Sequence, residues 1–308
     1  MGKSCRVTTS NIKAMKRRGE KIVMLTAYDY PSARLVEEAG VPMILVGDTL
    51  GMVVLGYDTT LPVTMEDMLH HVKAVCRGTE KTLVVADMPF MSFQAGPEEA
   101  LRNAGRFLQE GGAQAVKLEG GVVVADTVRK IVDAGIPVMG HVGLTPQSVH
   151  QFGGWKVQGK KPQGAVRVMN DALALEQAGA FSVVLELVPT ALSSLIAKRL
   201  RVPTIGIGAG AGCDGQVQVF HDLLGMYGDF VPKHTRQYAK IGDAMRTAIA
   251  EYADDVREGR FPTEAQSFSM DENALAELLT TDDDDDAPES RFDIELPDYL
   301  SLPVLPPR

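Results

Sequence analysis

The chain has 308 residues, 45% of them hydrophobic and 23% charged, and a formal net charge of -9, five of whose negatives come from the run Asp282–Asp286. These values suit one large soluble domain, and the absence of a basic stripe excludes a nucleic-acid surface. No apolar run reaches the roughly 18 residues needed to span a bilayer, and three widely spaced cysteines, Cys5, Cys76 and Cys213, fit a reducing cytoplasm better than a disulfide framework or a zinc site.

Strand-like and helix-like stretches alternate along the chain. Residues 21–27, KIVMLTA, predict a first strand, and 31–40 a helix closed by Gly40. A second strand, MILVGD, covers 43–48. The amphipathic stretch 64–78 follows, with Thr64 as N-cap and Gly78 as C-cap. TLVVAD (82–87) is a third strand, and 96–112 a helix with Pro97 in its first turn. AVKLEG, VVADTVRKIVDAG and PVMGHVG repeat the unit. After a glycine-rich stretch come VRVMNDALALEQAG, SVVLEL, TALSSLIAKRL and PTIGIGAG. A weak eighth unit lies around QVQVFHDLLG (216–225).

Near-continuous apolar strands mark a sheet covered on both faces. Seven clear βα units and a weak eighth predict an α/β fold, a (β/α)8 TIM barrel. A doubly wound open sheet would carry G-x-G-x-x-G after its first strand; TAYDYPSA does not. The barrel with its flanking helices is expected over residues 1–269. Residues 270–308 form an acidic, Pro-rich tail that is expected to be largely disordered, because like charges repel and proline opposes regular structure.

The strand ends carry the chemistry. Asp48, Asp87, Lys117, Glu119, His141 and Glu186 all fall at or near them. An ionised carboxylate at a buried tip is costly without a partner, and in a parallel barrel the C-terminal tips share one face. Asp48 and Asp87 suit Mg2+, which needs only one or two carboxylates and keeps several waters. Each aspartate alone also suits a helix cap. Lys117 and Glu119, two apart on one strand, share a face; they face either the pocket or each other as an internal ion pair. Glu186, flanked by leucines, suits a general base that removes a proton next to a carbonyl, and a metal on the keto oxygen would stabilise the enolate formed. His141 is either a further polar contact or a structural histidine.

Two loops invite a ligand. GIGAGAGCDG (206–215) has the composition of a phosphate loop but lacks a Walker lysine, and glycine also serves close backbone approach. FGGWKVQGKKPQG (152–164) is basic and reads as a lid or an anion-binding loop.

In order, VGDTLGMVVLGYDTTLPVTMEDM, VVADMPFMS, AVKLEGG, GHVGLTPQSVHQFGG, KVQG, LELVP and IGIGAG resemble the ketopantoate hydroxymethyltransferase family of the phosphoenolpyruvate/pyruvate superfamily, over about residues 5–268. The resemblance implies a Mg2+-dependent barrel enzyme of pantothenate synthesis. It would transfer a one-carbon unit from 5,10-methylenetetrahydrofolate to 3-methyl-2-oxobutanoate, giving 2-dehydropantoate. It implies Asp48 and Asp87 as Mg2+ ligands with Glu119 nearby. Asp48, Thr49, Asp87 and Lys117 would meet the oxo acid, and Glu186 would accept the proton. Thr49 stands where the family usually has serine, which keeps the hydroxyl and adds a methyl. The resemblance also implies a homo-oligomer, a homodecamer; the cytoplasmic setting is expected from the cysteines. A lyase or phosphonomutase of the same superfamily would share Mg2+ and an enolate, often with a loop cysteine that residues 152–164 lack. A phosphate-binding barrel enzyme would need residues 206–215 to hold phosphate. A catalytically dead scaffold would have lost its acids, and all of them are present.

Overall fold

Eight short parallel strands close on themselves in chain order, β8 pairing back onto β1. They are β1 (Ile22–Thr26), β2 (Met43–Val46), β3 (Leu83–Asp87), β4 (Ala115–Glu119), β5 (Val138–Gly143), β6 (Ser182–Glu186), β7 (Thr204–Ile207) and β8 (Gly215–Gln218). The computed structural model describes residues 6–226 and 231–280. The acidic run Asp282–Asp286 and the Pro-rich ending lie outside the described residues. The expected (β/α)8 barrel is the fold observed, and the weak eighth unit supplies β8.

Helices between the strands begin and end where side chains cap them. Thr64 accepts from the backbone N–H of Asp67, whose carboxylate accepts from Thr64 in return, at the head of Met65–Arg77. Asp29 and Ser32 do the same for Tyr30–Glu38. The helix Pro162–Gln177 starts earlier than the sequence predicts, inside the stretch read as a loop. Pro162 explains the difference: its fixed φ suits the first helical turn, where a missing N–H costs nothing.

Apolar side chains fall into two cores by strand alternation. Within the barrel lie Met24, Met43, Leu45, Val85, Met139 and Val184, among others. Between barrel and helices lie the alternate residues, such as Ile44, Val84, Val116 and Leu185, with Val72, Phe107 and Leu175 from the helices. The barrel floor is closed by the helix Thr9–Arg18, not singled out in the sequence because its one buried residue, Ile12, gives little apolar pattern. Ile12 joins the barrel-interior core. Lys16 Nζ fixes this helix by donating to the carbonyls of Ala197 and Val202 and to Asp214 Oδ2, each at 2.9 Å.

By contacts the chain divides into two compact units, Met1–Arg246 and Thr247–Arg308. The barrel lies wholly in the first. Among its described residues the second holds the end of the helix Ile241–Arg257, a 3-10 turn Glu264–Gln266 and the helix Glu272–Thr280. No helix among the described residues is long and apolar enough to cross a membrane.

Candidate active site

Strand alternation aims the charged residues inward at the end of the barrel where the strands finish. On β3, Leu83 and Val85 point into the barrel, and so does Asp87 two residues on. On β4, Ala115 does, and so do Lys117 and Glu119. Register then sets them side by side: Asp87 pairs with Lys117, Glu119 with His141, and Gly143 with Glu186. Asp48 and Thr49 follow β2 and open the short helix Leu50–Val53. All seven residues singled out in the sequence, Asp48, Thr49, Asp87, Lys117, Glu119, His141 and Glu186, line one cavity of about 40 Å3.

The charged groups lie away from bulk water. Asp48, Asp87, Lys117, Glu119 and His141 are each at most 5% exposed. Lys117 Nζ lies 2.6 Å from Asp87 Oδ1, and the backbone N–H of Asp48 donates to Asp87 Oδ2 at 3.3 Å. His141 bridges two carboxylates, with Nδ1 at 3.5 Å from Glu119 Oε1 and Nε2 at 3.2 Å from Glu186 Oε2. The Lys117–Glu119 pairing left open by the sequence is thus not the arrangement formed: Lys117 turns to Asp87, and Glu119 to the histidine.

Four carboxylates against one lysine and one histidine leave the pocket short of positive charge. Burial, then the neighbouring carboxylates of Asp87 and Glu119, push the Asp48 carboxyl well above its usual range. Asp87 rises for the same first reason, and Lys117 only partly offsets it. Burial opposes charge on Lys117, but Asp87, Glu119 and Asp48 outweigh it and hold the ammonium charged. His141 is pulled down by burial and by Lys117, yet its contacts with Glu119 and Glu186 raise it to about 9.

Such a site fits a divalent cation. Glu119 Oε1 is buried and makes no hydrogen bond within normal distance, its nearest cationic neighbour being His141 Nδ1 at 3.5 Å, so it has a lone pair to spare for a ligand. Among the described residues no three His, Cys, Asp or Glu side chains cage a metal unaided. A cation here would draw the rest of its coordination from water or substrate oxygens.

A second cavity of about 480 Å3, largely apolar, adjoins the first; Thr49, Pro146, Glu186, Ile207 and Val219 line both. Trp155, from the stretch read as a lid, lines this outer chamber, whereas Lys156, Lys160 and Lys161 do not line it. Of the glycine-rich stretch 206–215, Ile207 alone reaches the two cavities. Its glycines serve close approach instead: a Cβ at Gly208 would strike Leu187, one at Gly210 would strike Thr190, and one at Gly212 would strike Ser194.

Sequence reasoning passed over Gln147. It is 6% exposed and touches two of the carboxylates: its side-chain amide donates to Asp48 Oδ2 at 2.9 Å, and its backbone N–H to Glu119 Oε2 at 3.0 Å. It sits after β5 in GLTPQS, a turn, and an uncharged residue away from a strand tip gives no electrostatic signal. The Thr-Pro pair before it was the available clue, since Pro marks a shaped loop.

A model of the family described as ketopantoate hydroxymethyltransferase matches residues 6–264. A 3-methyl-2-oxobutanoate hydroxymethyltransferase of Dehalococcoides mccartyi (strain CBDB1) is 61% identical over 273 residues, 89% of this chain and 98% of the relative. One from Carboxydothermus hydrogenoformans is 60% identical over 265 residues, 86% of this chain and 96% of the relative. Among solved structures, a phosphonopyruvate hydrolase in complex with oxalate and Mg2+ aligns with a TM-score of 0.55 at 14% identity, over 89% of this chain and 95% of that one. At that identity the likeness speaks for the barrel alone.

Proposed function

This chain belongs to the ketopantoate hydroxymethyltransferase family and is an enzyme of that activity; on that premise we propose that it uses 5,10-methylenetetrahydrofolate as one-carbon donor, a Mg2+ held by Asp48 and Asp87, and Glu186 as its base. One observation carries the reading: Asp48, Asp87, Lys117, Glu119, His141 and Glu186 converge on one small cavity beside a large apolar chamber.

When bound, Mg2+ supplies positive charge at the keto oxygen of 3-methyl-2-oxobutanoate. Asp48 and Asp87 would hold it, with Glu119 close enough to act through a water. Lys117 and Thr49 would meet the substrate carboxylate. Glu186, the least buried of the acids, takes the C3 proton. His141, 3.2 Å away, holds its carboxylate in place. The C3 carbanion then forms its C–C bond at the methylene carbon of the folate as one C–N bond opens, and water takes the place of the second nitrogen there. Water supplies the hydroxyl oxygen, the C3 proton and one water proton end on the two folate nitrogens, and 2-dehydropantoate forms. The outer chamber, of a volume ordinary for a drug-sized ligand, would take the pterin, with Trp155 as its aromatic wall.

The widely spaced cysteines support a cytoplasmic setting. The helix Ile241–Arg257 exposes Ile241, Met245, Ile249, Tyr252 and Val256, spaced to share one helical face. This supports the homo-oligomer that the family resemblance implies, a homodecamer.

The test is hydrogen exchange. With Mg2+ and 3-methyl-2-oxobutanoate in deuterated water, without folate, the protein should exchange the C3 proton. Glu186→Gln should still bind the oxo acid but exchange on the order of 10²–10⁴-fold more slowly, the usual worth of a general base. Exchange at the parent rate would move the base elsewhere.

A further inference from the structure

Two carboxylates that would serve one metal come from elements far apart in sequence, Asp48 after β2 and Glu119 on β4. Like charges in a dry cavity repel, so their placement needs a group that holds both. Gln147 touches both. Its amide donates to Asp48 Oδ2 at 2.9 Å, and its backbone N–H to Glu119 Oε2 at 3.0 Å. In each carboxylate one oxygen is thereby engaged. The other oxygen of Glu119, Oε1, is buried without a hydrogen bond, with His141 Nδ1 3.5 Å away.

The amide is itself held on every side. Its second N–H donates to the carbonyl of Met88 at 2.9 Å, and its Oε1 accepts from Gln94 Nε2 at 2.9 Å. A reversed amide would set oxygen against the oxygens of Asp48 and Met88, so one orientation is specified. Its neutrality also matters. A lysine in this place would orient the acids equally well but cancel the negative charge that attracts a dication. An amide orients them and leaves that charge in place.

We propose that Gln147 is a positioning residue: with its side chain and its backbone N–H it holds Asp48 and Glu119 in the arrangement that receives the metal, joining the loop after β5 to the ends of β2 and β4. This rests on the Mg2+ reading given above for what the two acids receive, but not for how they are held.

Gln147→Met keeps length and near volume and removes the side-chain donors. Mg2+ titrated alone into parent and variant, followed by calorimetry, should show affinity weaker by about 10- to 100-fold, the range for residues that orient metal ligands. A crystal structure of the metal-free variant should show the Asp48 carboxylate turned from its parent position. Gln94→Leu, which removes only the outer contact, gives a second variant should the first fail to fold; it should shift Mg2+ affinity in the same direction by a smaller factor. A folded variant with unmoved carboxylates and Mg2+ affinity within about twofold of the parent would overturn the proposal. A parent protein that binds no Mg2+ while Gln147→Met still displaces Asp48 would sink the metal reading and leave the positioning role standing.

Discussion

Thr49 lines both cavities, at their shared wall. A hydroxyl donated to a substrate carboxylate is worth roughly 1.4 kcal/mol, so Thr49→Val should raise KM for the oxo acid about tenfold while moving kcat less. Thr49→Ser should stay close to the parent, because the hydroxyl survives. Steady-state kinetics of the two variants decide; a Thr49→Val enzyme with parent KM would remove Thr49 from substrate binding. At this scale the sequence was readable wherever a charge sat against its surroundings. Asp48, Asp87, Lys117, Glu119, His141 and Glu186 each stood at the end of an apolar run, and all six meet. Gln147 and Trp155 were harder to place. A neutral amide in a turn and an aromatic ring in a glycine-rich loop look the same in sequence whether they face a cavity or solvent.

Strands were legible as short, near-continuous apolar runs between helix-like stretches, because both faces of a barrel sheet are covered; their register was not, beyond Lys117 and Glu119 sharing a face. Helix starts were legible where a hydroxyl or carboxylate capped them, as at Thr64. The helix Thr9–Arg18 was not, since it buries only Ile12 and its remaining face is polar. Nor was the tight junction of β5 and β6. Gly143 has φ +95°, and any side chain there would collide with the carbonyl of Glu186 and with Val188. That carbonyl accepts from the N–H of Leu144 at 2.8 Å. The element carrying Glu186 is thus fastened by backbone to the strand carrying His141, and the requirement for glycine is a matter of close approach that no propensity reveals. The glycines at 208, 210 and 212 meet the same kind of demand, which is why a composition suited to phosphate served packing instead.

Among the described residues, one face of the helix Ile241–Arg257 exposes a row of apolar side chains, and exposed apolar surface marks interaction sites. Ile249 is 63% exposed and Tyr252 58%. If that face lies between copies of the chain, Ile249→Glu would bury an uncompensated charge at about 3–5 kcal/mol, weakening association on the order of 10²–10³-fold. Light scattering on the eluted protein should then report a smaller mass than the parent. An unchanged mass would place the assembly contacts elsewhere on the surface.

The helix that closes the barrel floor has a consequence for traffic. Ile12 is seated in the interior core and Lys16 fastens its helix from outside, so this helix plugs the barrel at the end away from the acids. The small compartment holding the acids reaches down among Leu45, Val184 and Val217, whereas the larger one is lined from the loops. On the function proposed above, the oxo acid would enter the inner cavity before the folate fills the outer one, and its product would wait until the folate has gone. Initial rates measured with both substrates varied should show a compulsory order, with high folate inhibiting competitively against the oxo acid. Random order would mean that the way in is wider than the static chain makes it.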